Sequence, residues 1–146
     1  MTRPRFLYAV LPALLLASGC SSVTEPEVTL WEGNVTAVAP ATVTGVVAAV
    51  SQFGRTQISI QIRQAEDGGN YAWRVETGSC QNPGTLQGGA ALYPLLVVTG
   101  PALTADADAT IPGQFSSGGA YIARVIQLGE VGAETVVACG SLLETS

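Results

Sequence analysis

The sequence contains no histidine and no lysine, and its one methionine is Met1. Without imidazole there is no Ser–His or Cys–His nucleophile and no histidine metal ligand. Without lysine there is no Schiff-base chemistry and no phosphate-loop lysine. A thioether copper site is excluded in the same way. Charge is scarce too: Asp, Glu, Lys and Arg make up 12% of the 146 residues, and six arginines face eleven acids for a formal net charge of −5. Few and scattered cations argue against nucleic acid as a partner, since phosphate backbones call for clustered Lys and Arg. Beyond the N-terminal segment no stretch holds a 3.6-residue apolar period long enough for a helix, and neither an internal repeat nor a low-complexity tract is expected.

What is present is apolar and turn-rich. Hydrophobic residues are 47% of the chain, punctuated by 17 Gly and 8 Pro. That composition suits one folded domain and not a disordered chain. At the start, Arg3 and Arg5 precede the apolar run Phe6–Leu16, and Ala17-Ser18-Gly19-Cys20 follows. A cationic head, a short apolar core and small residues form a secretory signal. The run falls well short of the roughly 20 residues a membrane-spanning helix needs.

Ala17-Ser18-Gly19-Cys20 resembles the lipobox of bacterial lipoproteins, with Ala17 where leucine is more usual. The resemblance implies a signal peptide over 1–19, acylation of Cys20 as the first mature residue, and a short polar tether over 20–28. Several acyl chains, at about 0.8 kcal/mol per buried CH₂, tether a domain to a membrane essentially for good. Ser21 resembles the outer-membrane sorting signal of Gram-negative lipoproteins. The expected location is therefore the bacterial cell envelope, on the periplasmic or surface side of the outer membrane in a Gram-negative cell. The membrane itself is the expected partner. Cleavage leaves four arginines against eleven acids, a net charge of −7; such an acidic surface mainly favours solubility. With Cys20 acylated, Cys80 and Cys139 remain. In an oxidising compartment a disulfide is the default for them, with two free thiols or a metal pair as alternatives. A loop of about 60 residues makes such a bridge worth roughly 4 kcal/mol in the chain-entropy model.

From residue 29 to 146 the pattern has period two. Ile58, Ile60 and Ile62 alternate with Gln57, Ser59, Gln61 and Arg63; Tyr71, Trp73 and Val75 alternate with Ala72, Arg74 and Glu76. Tyr121, Ala123 and Val125 alternate with Ile122, Arg124 and Ile126, and further β-branched runs cover about 29–38, 43–51, 93–98, 104–111 and 135–142. Turn signals separate them, among them Asp67-Gly68-Gly69-Asn70, Asn82-Pro83-Gly84 and Ser117-Gly118-Gly119. Strands at this spacing with no helix between them predict an all-β domain, an antiparallel sandwich or barrel in which two sheets close on each other.

The stretch Trp73-Arg74-Val75-Glu76-Thr77-Gly78-Ser79-Cys80 resembles the metal-binding strand of copper/zinc superoxide dismutases and of the related CHRD-type domains. There a His-x-His pair is followed by Gly and, in many members, Cys. Tyr121–Ile126 resembles the strand that supplies a further histidine, and Ala138-Cys139-Gly140 resembles the terminal Ala-Cys-Gly whose Cys bonds the first. The resemblance runs over about 30–143 and implies a Greek-key β-sandwich of immunoglobulin-like architecture. The chain departs from the pattern where the chemistry sits, since Arg74, Glu76 and Ile126 occupy the histidine positions. Arginine stays protonated and does not ligate a cation. The scaffold is expected to carry over; dismutase activity, a catalytic residue, a metal and a cofactor are not.

Arg74, Glu76 and Arg124 are instead expected to form an exposed ion-pair patch on a solvated sheet face, with a ligand-binding patch as the sharper alternative. Asp106 and Asp108 share one face of a strand, a weak calcium candidate outweighed by a solvent face. Trp73 is expected in the core, while Trp31 is equally compatible with the core or with a ligand platform. The function expected is a lipid-anchored, disulfide-stapled envelope module with a binding or structural role. The alternatives are a divergent superoxide dismutase-like metalloprotein with rebuilt ligands and a subunit that lends an edge strand to a complex.

Overall fold

The structure is a computed structural model that describes residues 27–95 and 100–145; the expected signal segment, the expected acylation site Cys20 and the part of the expected tether before Glu27 lie outside the described residues. The fold is all-β and antiparallel. In chain order the strands are β1 (Thr29–Ala37), β2 (Thr44–Gln52), β3 (Arg55–Arg63), β4 (Tyr71–Gly78), β5 (Pro83–Gln87), β6 (Tyr93–Leu95), β7 (Ala105–Pro112), β8 (Tyr121–Leu128) and β9 (Glu134–Thr145). A single 3-10 turn, Glu130–Gly132, is the only helical element among the described residues. Two strand expectations change. Pro83-Gly84 reads as a turn but opens β5, and at 93–98 only Tyr93–Leu95 is described as strand.

The strands hydrogen-bond in the order β5-β4-β8-β9-β1-β2-β3-β7, with β6 also on β4. The two halves of the expected antiparallel sandwich or barrel are continuous and curl into a half-barrel, because β9 is long enough to serve both. Its first part pairs with β8 and its second with β1. Two backbone devices make the bend. A bulge at Val137 shifts the β8–β9 register between Val125↔Ala138 and Ile126↔Val136, which sharpens the local twist. In the β1–β9 ladder, pairing lapses between Glu32↔Leu143 and Thr36↔Cys139. There Gly33 lies against the Ser141 carbonyl and Gly140 against the Asn34 carbonyl, so a Cβ at either position would collide with backbone. Glycine is needed where two backbones pass this closely.

The concave side holds the core: Trp31, Val35, Val47, Ile58, Ile60, Ile62, Trp73, Val75, Val125 and Leu142 are all buried. They are the apolar members of the period-two pattern, aimed inward by the pleat. Trp31, open at the sequence level, belongs to this core. It meets Phe115 and Tyr121 edge-on at centroid distances of 5.8 and 5.3 Å.

The structure also overturns the expectation of no repeat. Gly68-Gly69-Asn70-Tyr71-Ala72-Trp73-Arg74-Val75 and Gly118-Gly119-Ala120-Tyr121-Ile122-Ala123-Arg124-Val125 fold alike. In each, a glycine N–H donates to the carbonyl three residues back, Gly69 to Glu66 at 3.0 Å and Gly119 to Ser116 at 2.8 Å. In each, the tyrosine hydroxyl accepts a backbone N–H from five residues upstream, Glu66 at 2.9 Å and Ser116 at 2.8 Å. The second glycine leaves room for the ring, since a Cβ on Gly69 or Gly119 would overlap its tyrosine. Each turn launches one of the paired central strands β4 and β8, whose burial patterns are identical.

Candidate functional site

The β4–β8 register sets Arg74 directly opposite Arg124, and the β8–β9 register sets Arg124 opposite Cys139. All three therefore stand in one row on the convex face of the sheet. Glu76, one pleat along from Arg74, reaches both guanidiniums: its Oε1 lies 3.1 Å from Arg74 Nε, and its Oε2 accepts from Arg124 Nη1 at 3.1 Å. Arg74 Nη1 approaches Glu134 Oε2 at 3.6 Å. The Arg74 Nε contact is an ion pair only, because its N–H points off the carboxylate and finds no other acceptor.

The three residues thus come together as expected, but not on a solvated surface. Glu76 is 7% exposed, and the arginine side chains are 23% and 18% exposed. The reason lies in what surrounds them. Ile122 and Ile126 flank Arg124 along β8 and are fully buried, as is Ala72 on β4. The Cys80–Cys139 disulfide, with Cα atoms 5.9 Å apart, links the loop after β4 to β9 and so straps that loop across the intervening β8. Thr36 Oγ1 on β1 donates to the Cys139 carbonyl at 3.1 Å, extending the row by one strand. The result is a charged cluster in an apolar frame. Glu76 sits between two cations, with the more exposed Glu134 at the outer side of Arg74, and loss of any inner partner is costly because a buried charge is left alone.

The other sequence candidates separate. Asp106 and Asp108 stand exposed on β7 opposite Gln61 and Ser59, far along the sheet from Glu76. Among the described residues no group of three or more acidic, cysteine or histidine side chains lies close enough to hold a metal ion. They line instead an open trough of about 850 Å³ on the convex face of β9, β1, β2, β3 and β7, together with Glu32, Asn34, Val46 and Ser59. β5 has a free outer edge, but it is five residues long and begins at Pro83, features that blunt strand addition. Trp31 and Trp73 keep their indole N–H groups buried without a partner, so neither serves as an exposed stacking platform.

The sequence reading missed the relation between the two arginines. The recurrence Gly-Gly-x-Tyr-x-x-Arg-Val at 68–75 and 118–125 is the signal that would have shown it: Arg74 and Arg124 hold equivalent places in two copies of one turn-and-strand unit. Comparison of the chain with protein-family models, curated proteins and solved structures gives no match.

Proposed function

We propose that the protein is a lipid-anchored, disulfide-stapled module of the bacterial cell envelope with a non-catalytic, binding or structural role. The observation that carries this reading is the Arg74–Glu76–Arg124 cluster. At two of the positions where the resembling dismutase strands hold histidines, this chain places Arg74 and Glu76, and the Glu76 carboxylate is closed on by Arg74 and by Arg124 from the neighbouring strand. The guanidiniums offer no lone pair to a metal, and the one carboxylate between them is already engaged by both. The cluster holds two central strands together under a sulfur strap. The disulfide supports an exported domain, because such bonds persist in oxidising compartments. Binding then falls to the open trough, whose lining sets carboxylates, hydroxyls and amides beside the exposed Val46 and Leu143 and so suits a partner with a cationic and an apolar part.

Two measurements test the proposal. Full-length protein expressed in a bacterium should fractionate with membranes, and Cys20→Ser should move it to the soluble fraction. Persistence of Cys20→Ser on membranes defeats the anchor. Purified protein dialysed after exposure to copper and zinc should retain neither; stoichiometric retention would favour a metalloprotein with rebuilt ligands.

A further inference from the structure

We infer that the protein rests on its lipid surface through one defined end of the half-barrel, with the β2–β3 hairpin tip at Phe53 entering the headgroup region. The inference deepens the lipid-anchor reading and rests on it.

Four observations converge on this end. The first is strain with no structural return. The β2–β3 connection is a two-residue turn, Phe53-Gly54, with both residues at positive φ (51° and 75°). That turn favours Asn-Gly or Asp-Gly, and a bulky aromatic is disfavoured in the left-handed region. Yet Phe53 packs against little, being 68% exposed. A costly residue that the fold does not use points to a use outside the fold.

The second is company. The β1–β2 register pairs Thr29 with Ser51 and, carried two residues further, brings Phe53 level with Glu27. Val28 and Leu30 are exposed by 51% and 46% at or next to this end, and Leu30 pairs with Val50 and Thr145. With Phe53 they are three of the seven large exposed hydrophobics among the described residues. An apolar fringe beside an aromatic tip is the composition of an interfacial contact.

The third is charge. The opposite end, where β3 leads to β4 and β8 to β9, carries Glu66, Asp67, Glu130 and Glu134 against Arg63. At the Phe53 end Arg55 adjoins the tip. The acids there are Glu27 and Glu144, the latter accepting from Ser117 Oγ at 2.8 Å and from Gly118 N–H at 2.8 Å. Anionic lipid repels the first end more than the second.

The fourth is reach. Cys20 precedes Val28 by eight residues, at most about 28 Å of extended chain. Nine-residue strands such as β1 to β3 span about 27 Å. The tether joins the domain at the Phe53 end, so the far end reaches the bilayer only with the tether drawn taut along the whole domain.

The test uses full-length, acylated protein in vesicles of phosphatidylcholine and phosphatidylglycerol with brominated acyl chains, whose bromines quench indole at short range. Trp31 and Trp73, 1% and 0% exposed, set the background. Phe53→Trp should add emission that is blue-shifted and at least twofold quenched. Val38→Trp, at the acidic end and 40% exposed in the native protein, should be neither. Co-flotation with the vesicles but an unquenched Phe53→Trp indole overturns this inference and leaves the anchor standing. A blue shift without quenching means that protein, a partner or a second copy, covers the tip, and it overturns the lipid assignment. Failure to co-float overturns the anchor reading and this inference together. In vesicle-free solution Phe53→Asn, which suits a left-handed turn, should raise the melting temperature; a fall would mean that Phe53 serves the fold, and the inference fails.

Discussion

Glu76 is the residue on which the convex face depends. It is the lone carboxylate between two arginines whose backbones face each other on neighbouring strands, and it is almost sealed from water. Removing its charge while keeping its shape leaves Arg124 without a counter-ion beside Arg74, whose remaining partner is the more exposed Glu134. Glu76→Gln is therefore expected to cost about 3 kcal/mol, since breaking a buried ion cluster on one side strands the other. Chemical denaturation measures this. The control is a triple replacement, Arg74→Leu, Glu76→Ile and Arg124→Leu, which removes charge and desolvation cost together. It should stay within about 1–2 kcal/mol of the parent or exceed it. A large loss in the triple variant would show that the ions do more than hold one another. The sequence made this trio visible as a group but not its burial. Period-two alternation assigns Arg74, Glu76 and Arg124 to the outward face, which is correct. Beside that face runs a strap made by a bond between residues 59 apart, and nothing local to the three residues encodes it.

At the scale of elements, the two tyrosine-locked turns do equivalent work. Tyr71 and Tyr121 each satisfy a backbone N–H that the turn would otherwise leave without a partner, and each fixes the entry of a central strand. Tyr71→Phe and Tyr121→Phe should therefore destabilise by similar amounts, about 1 kcal/mol each, read from paired thermal melts. Unequal costs would mean that the turns are alike in shape only. The long strands were legible because β-branched and apolar residues alternate cleanly, as in Ile58, Ile60 and Ile62. β5 was not, because Pro83-Gly84 carries the chemistry of a turn and is tolerated in a strand only at a sheet edge. The repeat escaped notice for a related reason: five of its eight positions match, and its meaning lies in hydrogen bonds to residues upstream of the shared letters.

For the whole molecule, β9 decides whether there is one folding unit or two. It pairs with β8 through its first part and β1 through its second, and Cys139 stands opposite both Arg124 and Thr36. The Cys80–Cys139 bond thus fastens a loop of one half to the strand both halves share. Cys139→Ser should cost about 2–5 kcal/mol and lower the stability of both halves in a single cooperative transition; an unchanged melt, or two separate melts, would contradict this. The same topology sets how the domain bears tension. β1, the first described strand, lies inside the sheet with β9 on one side and β2 on the other. A pull arriving from the residues before Glu27 cannot peel a free margin one rung at a time. It has to slide β1 past two neighbours at once, so the domain meets mechanical load in shear, the direction in which a hydrogen-bonded sheet yields last.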